Sequence, residues 1–198
     1  MVLVNATIRE RMDSKVPLIP QLAGHLIASG GKRMRPMMTI AGAMMTGAPP
    51  DRRAQAILLS TAVEFIHSAT LLHDDVIDES ALRRGQYTAN ALWGNDAAVL
   101  VGDFLFARAF ELMVESGDIR VLGRLSAASA QITEGEIRQM AITGQPDTAL
   151  DKYLDVIASK TAVLFAAAAA AGAEISGGSP EMVAAMNDYG MHLGMAFQ

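Results

Sequence analysis

The feature that most restricts the fold of this chain is the segment 51–78, which contains no glycine and no proline. An uninterrupted segment of this length predicts one long α-helix, whose last two turns reach into the middle of a helical bundle. In that helix Asp74 and Asp78 lie one turn apart, about 40° around the axis, and His67 lies two turns earlier on nearly the same line. Most of the charge of this helix therefore lies on one face.

The rest of the chain also favours helices. Hydrophobic residues make up 51% of the 198 residues and aromatic residues only 5%, and glycine and proline fall mainly between apolar segments. This composition predicts an all-α fold, and the length predicts one domain over residues 1–198. The main breaks fall at 30–31, 47–50, 85–88, 117–118, 144–147 and 176–180. Seven or eight helices are expected, the others at 17–29, 34–46, 95–116, 118–142, 150–171 with a break near Ser159, and 180–197.

Charge and cysteine content limit the partners and the compartment. The net charge of −5 argues against broad attraction to nucleic acid, and there is no cysteine for disulfide or thiolate chemistry. A cysteine-free chain suits a reducing compartment, so a cytoplasmic location is expected. The most apolar run, residues 161–173, is shorter than the roughly 20 residues that cross a bilayer, so no transmembrane segment is predicted.

The acidic end of the long helix is a candidate metal site. Carboxylates in an apolar helix need a partner, such as an arginine, solvent or a divalent cation. Magnesium usually binds through one or two protein carboxylates plus substrate phosphates, which suits Asp74 and Asp78, with Asp75 contributing from the flank. The alternative is a solvated helix end, although acidic residues there oppose the helix dipole.

The segment GGKRMRP at 30–36 is a candidate anion site. Gly30 and Gly31 allow an unusual turn, Lys32 supplies a point charge, and Arg33 and Arg35 offer forked donors suited to phosphate oxygens. A basic loop beside a helix start can hold an anion. Taken alone, this segment is equally well explained as a solvated turn, but together with the aspartates it predicts a site where metal and a polyanion meet.

Several other polar residues have both a functional and a plain explanation. Arg83-Arg84 and Lys160-Thr161 are further phosphate ligands or ordinary surface charge. Asp103 and the polar residues of 131–139 either orient water or a lysine near the site or are satisfied core groups. The two histidines also have plain explanations, His67 as a core histidine and His73 as an exposed one.

The motifs resemble those of the trans-type polyprenyl diphosphate synthases, all-α enzymes that elongate isoprenoid chains. The resemblance begins near Pro17, and the matching segments occur in the family's order: GGKRMRP at 30–36, HSATLLHDDVIDES and RRG within 67–85, GD at 102–103, QITEGE at 131–136, SKTA at 159–162 and GMAFQ at 194–198. It implies an isoprenoid-synthase-type helical bundle with a central apolar cavity, commonly in a homodimer. Peripheral membrane contact for release of an apolar product is compatible with it.

The resemblance also implies the chemistry. Asp74 and Asp78 would hold Mg²⁺ against an allylic prenyl diphosphate, with Asp75 assisting. The diphosphate would leave, and the double bond of isopentenyl diphosphate would attack the allylic carbocation, with loss of a proton. The matching allylic-site positions are Arg83, Lys160, Thr161 and Gln198, and those for isopentenyl diphosphate are Lys32, Arg35, His67 and Arg84.

Product length is argued from the residues four and five positions before Asp74. In this kind of site the growing tail runs down between the helices, and an aromatic residue there would block it. Here the positions hold Thr70 and Ala69, both small, so a long-chain product of the kind used for quinone side chains is expected. A more distant wall would instead give a short farnesyl or geranylgeranyl product; its candidates are Phe65, Phe104, Phe106 and Met113.

One departure from the family pattern concerns the second aspartate-rich motif, which follows the phenylalanine-glutamine pair in the family, whereas this sequence stops at Gln198. A truncated fragment, also short at its amino terminus, is therefore expected, with little or no elongation activity by itself. The alternatives are a noncatalytic partner subunit of a heteromeric synthase, a terpene cyclase and a helical interaction module. The intact motifs and Lys160 disfavour the first, and GGKRMRP with His67 fits a second diphosphate that a cyclase does not need.

Overall fold

The structure is a computed structural model that describes residues 1–47, 49–145 and 147–198, without the side chain of residue 51. In the described part ten α-helices and one π-helical turn account for almost all regular structure, which confirms the all-α prediction. The α-helices are α1 Val2–Arg11, α2 Leu18–Ala28, α3 Met34–Met45, α4 Pro50–Ile77, α5 Ala89–Trp93, α6 Asn95–Glu115, α7 Ile119–Ile142, α8 Leu150–Ile157, α9 Val163–Ile175 and α10 Pro180–Phe197.

The predicted helices agree with the observed ones to within a few residues. The break expected near Ser159 is the π-helical turn Ala158–Ala162, which joins α8 to α9. Helix α10 begins at Pro180, and the hydroxyl of Ser179 accepts a hydrogen bond from the backbone N–H of Met182, as an N-cap does. The short helices α1 and α5 were not predicted. Residues 48 and 146, within two of the predicted breaks, lie outside the described residues.

A two-stranded hairpin interrupts the helical pattern after α4. Strand β1, Leu82–Arg83, pairs antiparallel with β2, Gln86–Tyr87, and the turn between them contains Arg84 and Gly85, both at positive φ. The glycine at the turn was part of a predicted break, but the strand pairing itself was not foreseen.

Helix α9 lies at the centre of the bundle, where it packs against α3, α4, α7 and α10. Every residue of α9 except Glu174 is buried. The small side chains of the alanine run 166–171 allow close approach of the neighbouring helices. Glycines bring α3 closest: an added Cβ at Gly42 would collide with the backbone of Ala169, and one at Gly172 with the backbone of Thr39.

Two helical runs are long and apolar enough to cross a membrane, judged by length and composition alone. They are Arg52–Ile77 and Leu150–Ile175, and 67% and 83% of their most apolar windows are buried inside the protein. The second run begins well before the apolar segment 161–173, because the helix continues through the polar residues Ser159 and Lys160 of the π turn. Central helices of a bundle have this composition, since they are enclosed by other helices on most sides.

Candidate functional site

A cavity of about 750 Å³ opens between the second half of α4, the loop joining α2 to α3, the β-hairpin, the π turn and the end of α10. Apolar side chains such as Leu71, Phe165 and Phe197 line part of it, and charged and polar groups line the rest. The residues assigned from the sequence to metal or substrate binding that meet there are Lys32, Arg35, His67, Asp74, Asp78, Arg83, Arg84, Lys160, Thr161 and Gln198.

The acidic face of the cavity is formed by the last turns of α4. The backbone N–H of Asp78 donates to the carbonyl of Asp74 at 2.8 Å, so the two aspartates are one turn apart, with Asp78 exposed. Burial raises the pKa of Asp74 to about 6, and Lys160, whose Nζ lies 3.7 Å from Asp74 Oδ2, opposes this shift. The Asp74 carboxylate thus has incomplete charge compensation from the protein, which a cation would supply.

The acidic face fits magnesium only in combination with a ligand. Among residues 1–47, 49–145 and 147–198, no group of three or more histidine and carboxylate side chains is placed to hold a metal ion. Asp74 and Asp78 therefore do not form a metal site made of protein ligands alone. Magnesium commonly keeps several waters and binds through one or two carboxylates together with substrate phosphates, and the two aspartates suit that arrangement.

The π turn carries Lys160 and Thr161 on the cavity wall. Lys160 Nζ lies 2.7 Å from Glu136 Oε2, closer than to Asp74, and Thr161 Oγ1 donates to Gln198 Oε1 at 3.0 Å. Gly135 allows α7 to approach the turn, because a Cβ there would lie 2.8 Å from Ser159 Cβ. Glu136 belongs to the segment 131–139 that was considered for orienting a lysine, and the structure shows this contact.

Asp75 does not line the cavity, in contrast to its expected role beside the metal. Its side chain is 2% exposed and accepts hydrogen bonds from Arg83 Nε and Nη2, the latter at 2.8 Å. This pairing is the main reason that the pKa of Arg83 is raised. Asn90 also donates to the backbone carbonyls of Asp75 and Ser80. Asp75 therefore anchors the hairpin to α4, because its neighbour Asp74, not Asp75, is on the cavity side of the helix.

The basic face of the cavity contains a half-buried guanidinium, that of Arg35. Arg35 Nη1 lies 3.1 Å from His67 Nε2, and its guanidinium stacks 4.5 Å from the ring centre of Phe165. Burial lowers the pKa of Arg35 to about 10, although nearby Glu64 raises it, and burial together with Arg35 holds the pKa of His67 well below 6.5. The neutral imidazole therefore accepts a hydrogen bond from Arg35 without balancing its charge, so the basic face suits an anion.

Arg33 departs from the phosphate-binding prediction. Its Nη1 lies 2.6 Å from Glu64 Oε1, and its Nη2 donates to the carbonyl of Ile27 at 2.9 Å. The guanidinium fork is thus occupied by protein groups. Glu64 was not identified from the sequence, although its position three residues before His67 on one helix places it on the same face.

The candidate chain-length residues occupy different environments. Thr70 lines the cavity, and its hydroxyl donates to the carbonyl of His67 at 2.8 Å, whereas Ala69 is fully buried and is absent from the cavity wall. Of the more distant wall candidates, Phe65 and Met113 are fully buried, while Phe104 and Phe106 are partly buried against the core.

Asp103 fits neither explanation given for it. Its side chain is 63% exposed and lies 3.5 Å from His73 Nε2, away from the cavity lining. The residue is therefore neither a core group nor part of the candidate site. His73, in turn, is one-third exposed and lies against Gly102 of α6.

The fold and the site together indicate a class of protein. The fold is an all-α bundle, and its cavity lies between a helix end with two aspartates and a basic loop, which is the arrangement of isoprenoid-type synthases. The sequence profile of the polyprenyl synthetase family matches residues 16–198, and the chain belongs to that family. This assignment confirms the resemblance seen in the motifs.

Three known proteins show how far the similarity extends. Octaprenyl diphosphate synthase of Escherichia coli (strain K12) is 46% identical over 195 residues, which are 98% of this chain and 59% of that protein. The crystal structure of a decaprenyl diphosphate synthase from Rhodobacter capsulatus matches with a TM-score of 0.95 at 52% identity, covering 100% of this chain and 60% of that one. A polyprenyl synthase from Caulobacter crescentus CB15, complexed with calcium and isoprenyl diphosphate, has a TM-score of 0.95 at 52% identity, covering 98% and 58%. The chain thus spans about three-fifths of the length of these relatives.

Proposed function

We propose that the cavity binds isopentenyl diphosphate beside an allylic prenyl diphosphate, as part of a trans-prenyltransferase that builds a long all-trans polyprenyl diphosphate. The observation that carries this proposal is the meeting of two differently charged faces in one cavity. The acidic face suits a diphosphate bound through a metal, and the basic face suits a diphosphate bound by cations alone.

The allylic diphosphate belongs at the acidic face. Asp74 and Asp78 would hold Mg²⁺, which when bound neutralises the negative charge that develops on the departing diphosphate. Lys160 and Arg83 line the same cavity, and the charges of both act on Asp74, so they would add hydrogen-bond donors for that leaving group. The use of calcium in the Caulobacter structure supports a divalent cation in the family, and magnesium is our choice on the basis of the ligand set.

Isopentenyl diphosphate belongs at the basic face, where Lys32, Arg35 and Arg84 line the cavity together with neutral His67. Its double bond would attack the allylic carbocation, and a proton would then leave the product. Apolar side chains that line the cavity, including Leu71 and Phe165, would help to keep water, which would capture the cation, away from the reacting atoms.

A long product and the remaining features of the enzyme are part of the same proposal. The octaprenyl and decaprenyl synthases among the relatives favour a long chain over a farnesyl or geranylgeranyl product, as does the small residue Thr70 on the cavity wall. A homodimer in the cytoplasm, with peripheral membrane contact during product release, is proposed by analogy. The noncatalytic-subunit alternative is disfavoured because Asp74, Asp78 and Lys160 of the acidic face and Lys32, Arg35, His67 and Arg84 of the basic face all line the cavity.

Thermal unfolding with Mg²⁺ and a nonhydrolysable allylic diphosphate analogue tests the site. Ligand at 100 times its dissociation constant stabilises a folded protein by about 2.7 kcal/mol, which for a chain of this size raises the Tm by roughly 5–10 °C. Asp74→Asn should abolish the magnesium-dependent part of this shift, whereas Asp103→Asn, at an exposed aspartate away from the cavity, should retain it. Absence of any shift in the unsubstituted chain would contradict the proposed function.

A further inference from the structure

The loop that carries the basic face adopts a backbone conformation that its residues do not favour by themselves. Gly30 has φ of +90°, as a glycine readily allows, but Arg33 is in the left-handed region with φ of 49° and ψ of 35°. A residue with a Cβ is disfavoured there. Because Arg33 immediately precedes α3, its conformation sets the direction in which Lys32 and Arg35 enter the cavity.

The side chain of Arg33 holds this conformation through two contacts. It forms the 2.6 Å ion pair with Glu64 of α4, and it donates to the carbonyl of Ile27 at the end of α2. Both partners of the ion pair are largely buried, with side chains 18% and 5% exposed. Gly31 leaves space for the guanidinium, since a Cβ at that position would lie 2.8 Å from Arg33 Nη1. One side chain thus joins the ends of α2 and α3 to the middle of α4.

Glu64 is out of place in an anion site on electrostatic grounds. Its carboxylate borders the same cavity as Lys32, Arg35 and Arg84, where a negative charge repels a diphosphate. Burial raises the pKa of Glu64, while Arg33 and then Arg35 oppose the shift. A buried carboxylate that both opposes the expected ligand and is unfavourable to ionise needs a compensating role, and its contact with Arg33 supplies one.

We propose that Glu64 and Arg33 are positioning residues, which hold the segment 30–35, the loop before α3 and the start of that helix, so that Lys32 and Arg35 can bind the diphosphate of isopentenyl diphosphate. The inference rests on the proposed function of the basic face and deepens it. Arg33 itself does not bind the ligand, because its fork is occupied by Glu64 and Ile27. In the motif GGKRMRP, Arg33 therefore supports the backbone, whereas Lys32 and Arg35 bind the anion.

Glu64→Gln separates positioning from electrostatics by the sign of its effect. The substitution removes a negative charge beside the anion site, so electrostatics alone would tighten binding of isopentenyl diphosphate. Loss of loop support should instead weaken binding, on the order of tenfold, because well-placed charged hydrogen bonds are lost. The measurement is calorimetric titration with isopentenyl diphosphate in EDTA, which leaves the metal-dependent face out of the signal.

A matched control comes from another partly buried ion pair. Glu174 lies 3.0 Å from Arg124 with a side chain 11% exposed, outside the cavity. Glu174→Gln makes the same change in net charge and should leave the dissociation constant unchanged. Equal or tighter binding by folded Glu64→Gln would overturn the proposal.

Two further measurements keep the outcome decisive. If Glu64→Gln does not fold, Glu64→Asp retains the charge but shortens the reach to Arg33, and weaker binding by that folded variant supports positioning. Failure of both variants to fold would show that the pair stabilises the whole bundle, which contradicts a role confined to the loop. Hydrogen exchange at residues 30–35 should rise in the variants without ligand. Hydrogen exchange tests the positioning role even if the unsubstituted chain binds no diphosphate. Absence of diphosphate binding would refute the proposed function but not the positioning role.

Discussion

The crossing of α3 and α9 can be tested with a single methyl group. In Gly42→Ala the added Cβ would collide with the carbonyl oxygen of Ala169 and lie 3.0 Å from the backbone nitrogen of Ala173. These are backbone atoms of a helix that is enclosed on most sides, so they cannot rotate away as a flexible side chain would. Helices α3 and α9 would have to separate. Because α3 carries Arg35 at its start and α9 follows the π turn with Lys160, the separation would also disturb the cavity.

The expected magnitude is the difference between two opposing effects. Alanine is favoured over glycine inside a helix by about 0.8–1.0 kcal/mol. Overpacking of a well-packed core costs typically 1–3 kcal/mol, and contact with rigid backbone places Gly42→Ala at or above the upper end. The net loss is therefore about 2 kcal/mol, or a decrease in Tm of roughly 4–8 °C for a chain of this size.

Gly123 provides the control, since it lies inside helix α7 with no atom within 4 Å of an added Cβ. Gly123→Ala should gain only the helical preference and raise the Tm by roughly 2–4 °C. Thermal unfolding by circular dichroism measures both variants under the same conditions. If Gly42→Ala is as stable as Gly123→Ala, the close contact of α3 with α9 is wrong.

Two further predictions concern the cavity. The pKa of His67 is lowered in the folded protein, so between that value and the ordinary pKa of 6.5 only the unfolded chain takes up a proton at this ring. The contribution of neutral His67 to the free energy of unfolding is therefore complete above pH 6.5 and decreases as the pH falls below it. Urea unfolding should therefore show that the unsubstituted chain loses about 1 kcal/mol more than His67→Gln between pH 7.5 and 5.5, and parallel curves would exclude a buried neutral ring. Thr70→Phe should shorten the prenyl products of the active enzyme, because Thr70 lines the cavity, whereas Ala69→Phe should mainly lower stability, by about 1–3 kcal/mol, because Ala69 is buried. Chromatography of the products and thermal unfolding distinguish these effects, and an unchanged product length in Thr70→Phe would contradict the assigned direction of the tail.

The sequence was sufficient for features that depend on local order along the chain. Helix α4 was predicted within one residue at each end because residues 51–78 contain no glycine or proline, and the helical period placed Asp74 and Asp78 one turn apart. The position of the π turn was indicated by the polar residues around Ser159 within an apolar helix. These features depend only on the geometry of one helix, so they can be predicted without knowledge of the tertiary packing.

Features that depend on distant pairs could not be predicted in the same way. Arg33 and Arg35 look alike in the sequence, yet one is paired with Glu64 and the other stacks on Phe165. Which arginine faces the anion depends on the left-handed turn at Arg33 and on the way α4 crosses α3. Asp75 likewise follows Asp74 directly, but a rotation of about 100° per residue directs it to Arg83 of the hairpin.

Helix α4 also fixes the distance between the two faces of the cavity. Glu64, His67, Leu71, Asp74 and Asp78 all line it, and their spacing of three and four residues is that of a single stripe along one helix. The rise of about 1.5 Å per residue separates His67 from Asp74 by roughly 10 Å along the axis. The basic and acidic faces are therefore held apart by a rigid element, and only the cation side chains must be brought in from other parts of the chain. Arg35 lies at the start of α3, which Arg33 supports, and Lys160 lies in the π turn, which Gly135 allows to approach α7. The support of these two segments therefore determines whether both ends of the stripe can bind a diphosphate at once.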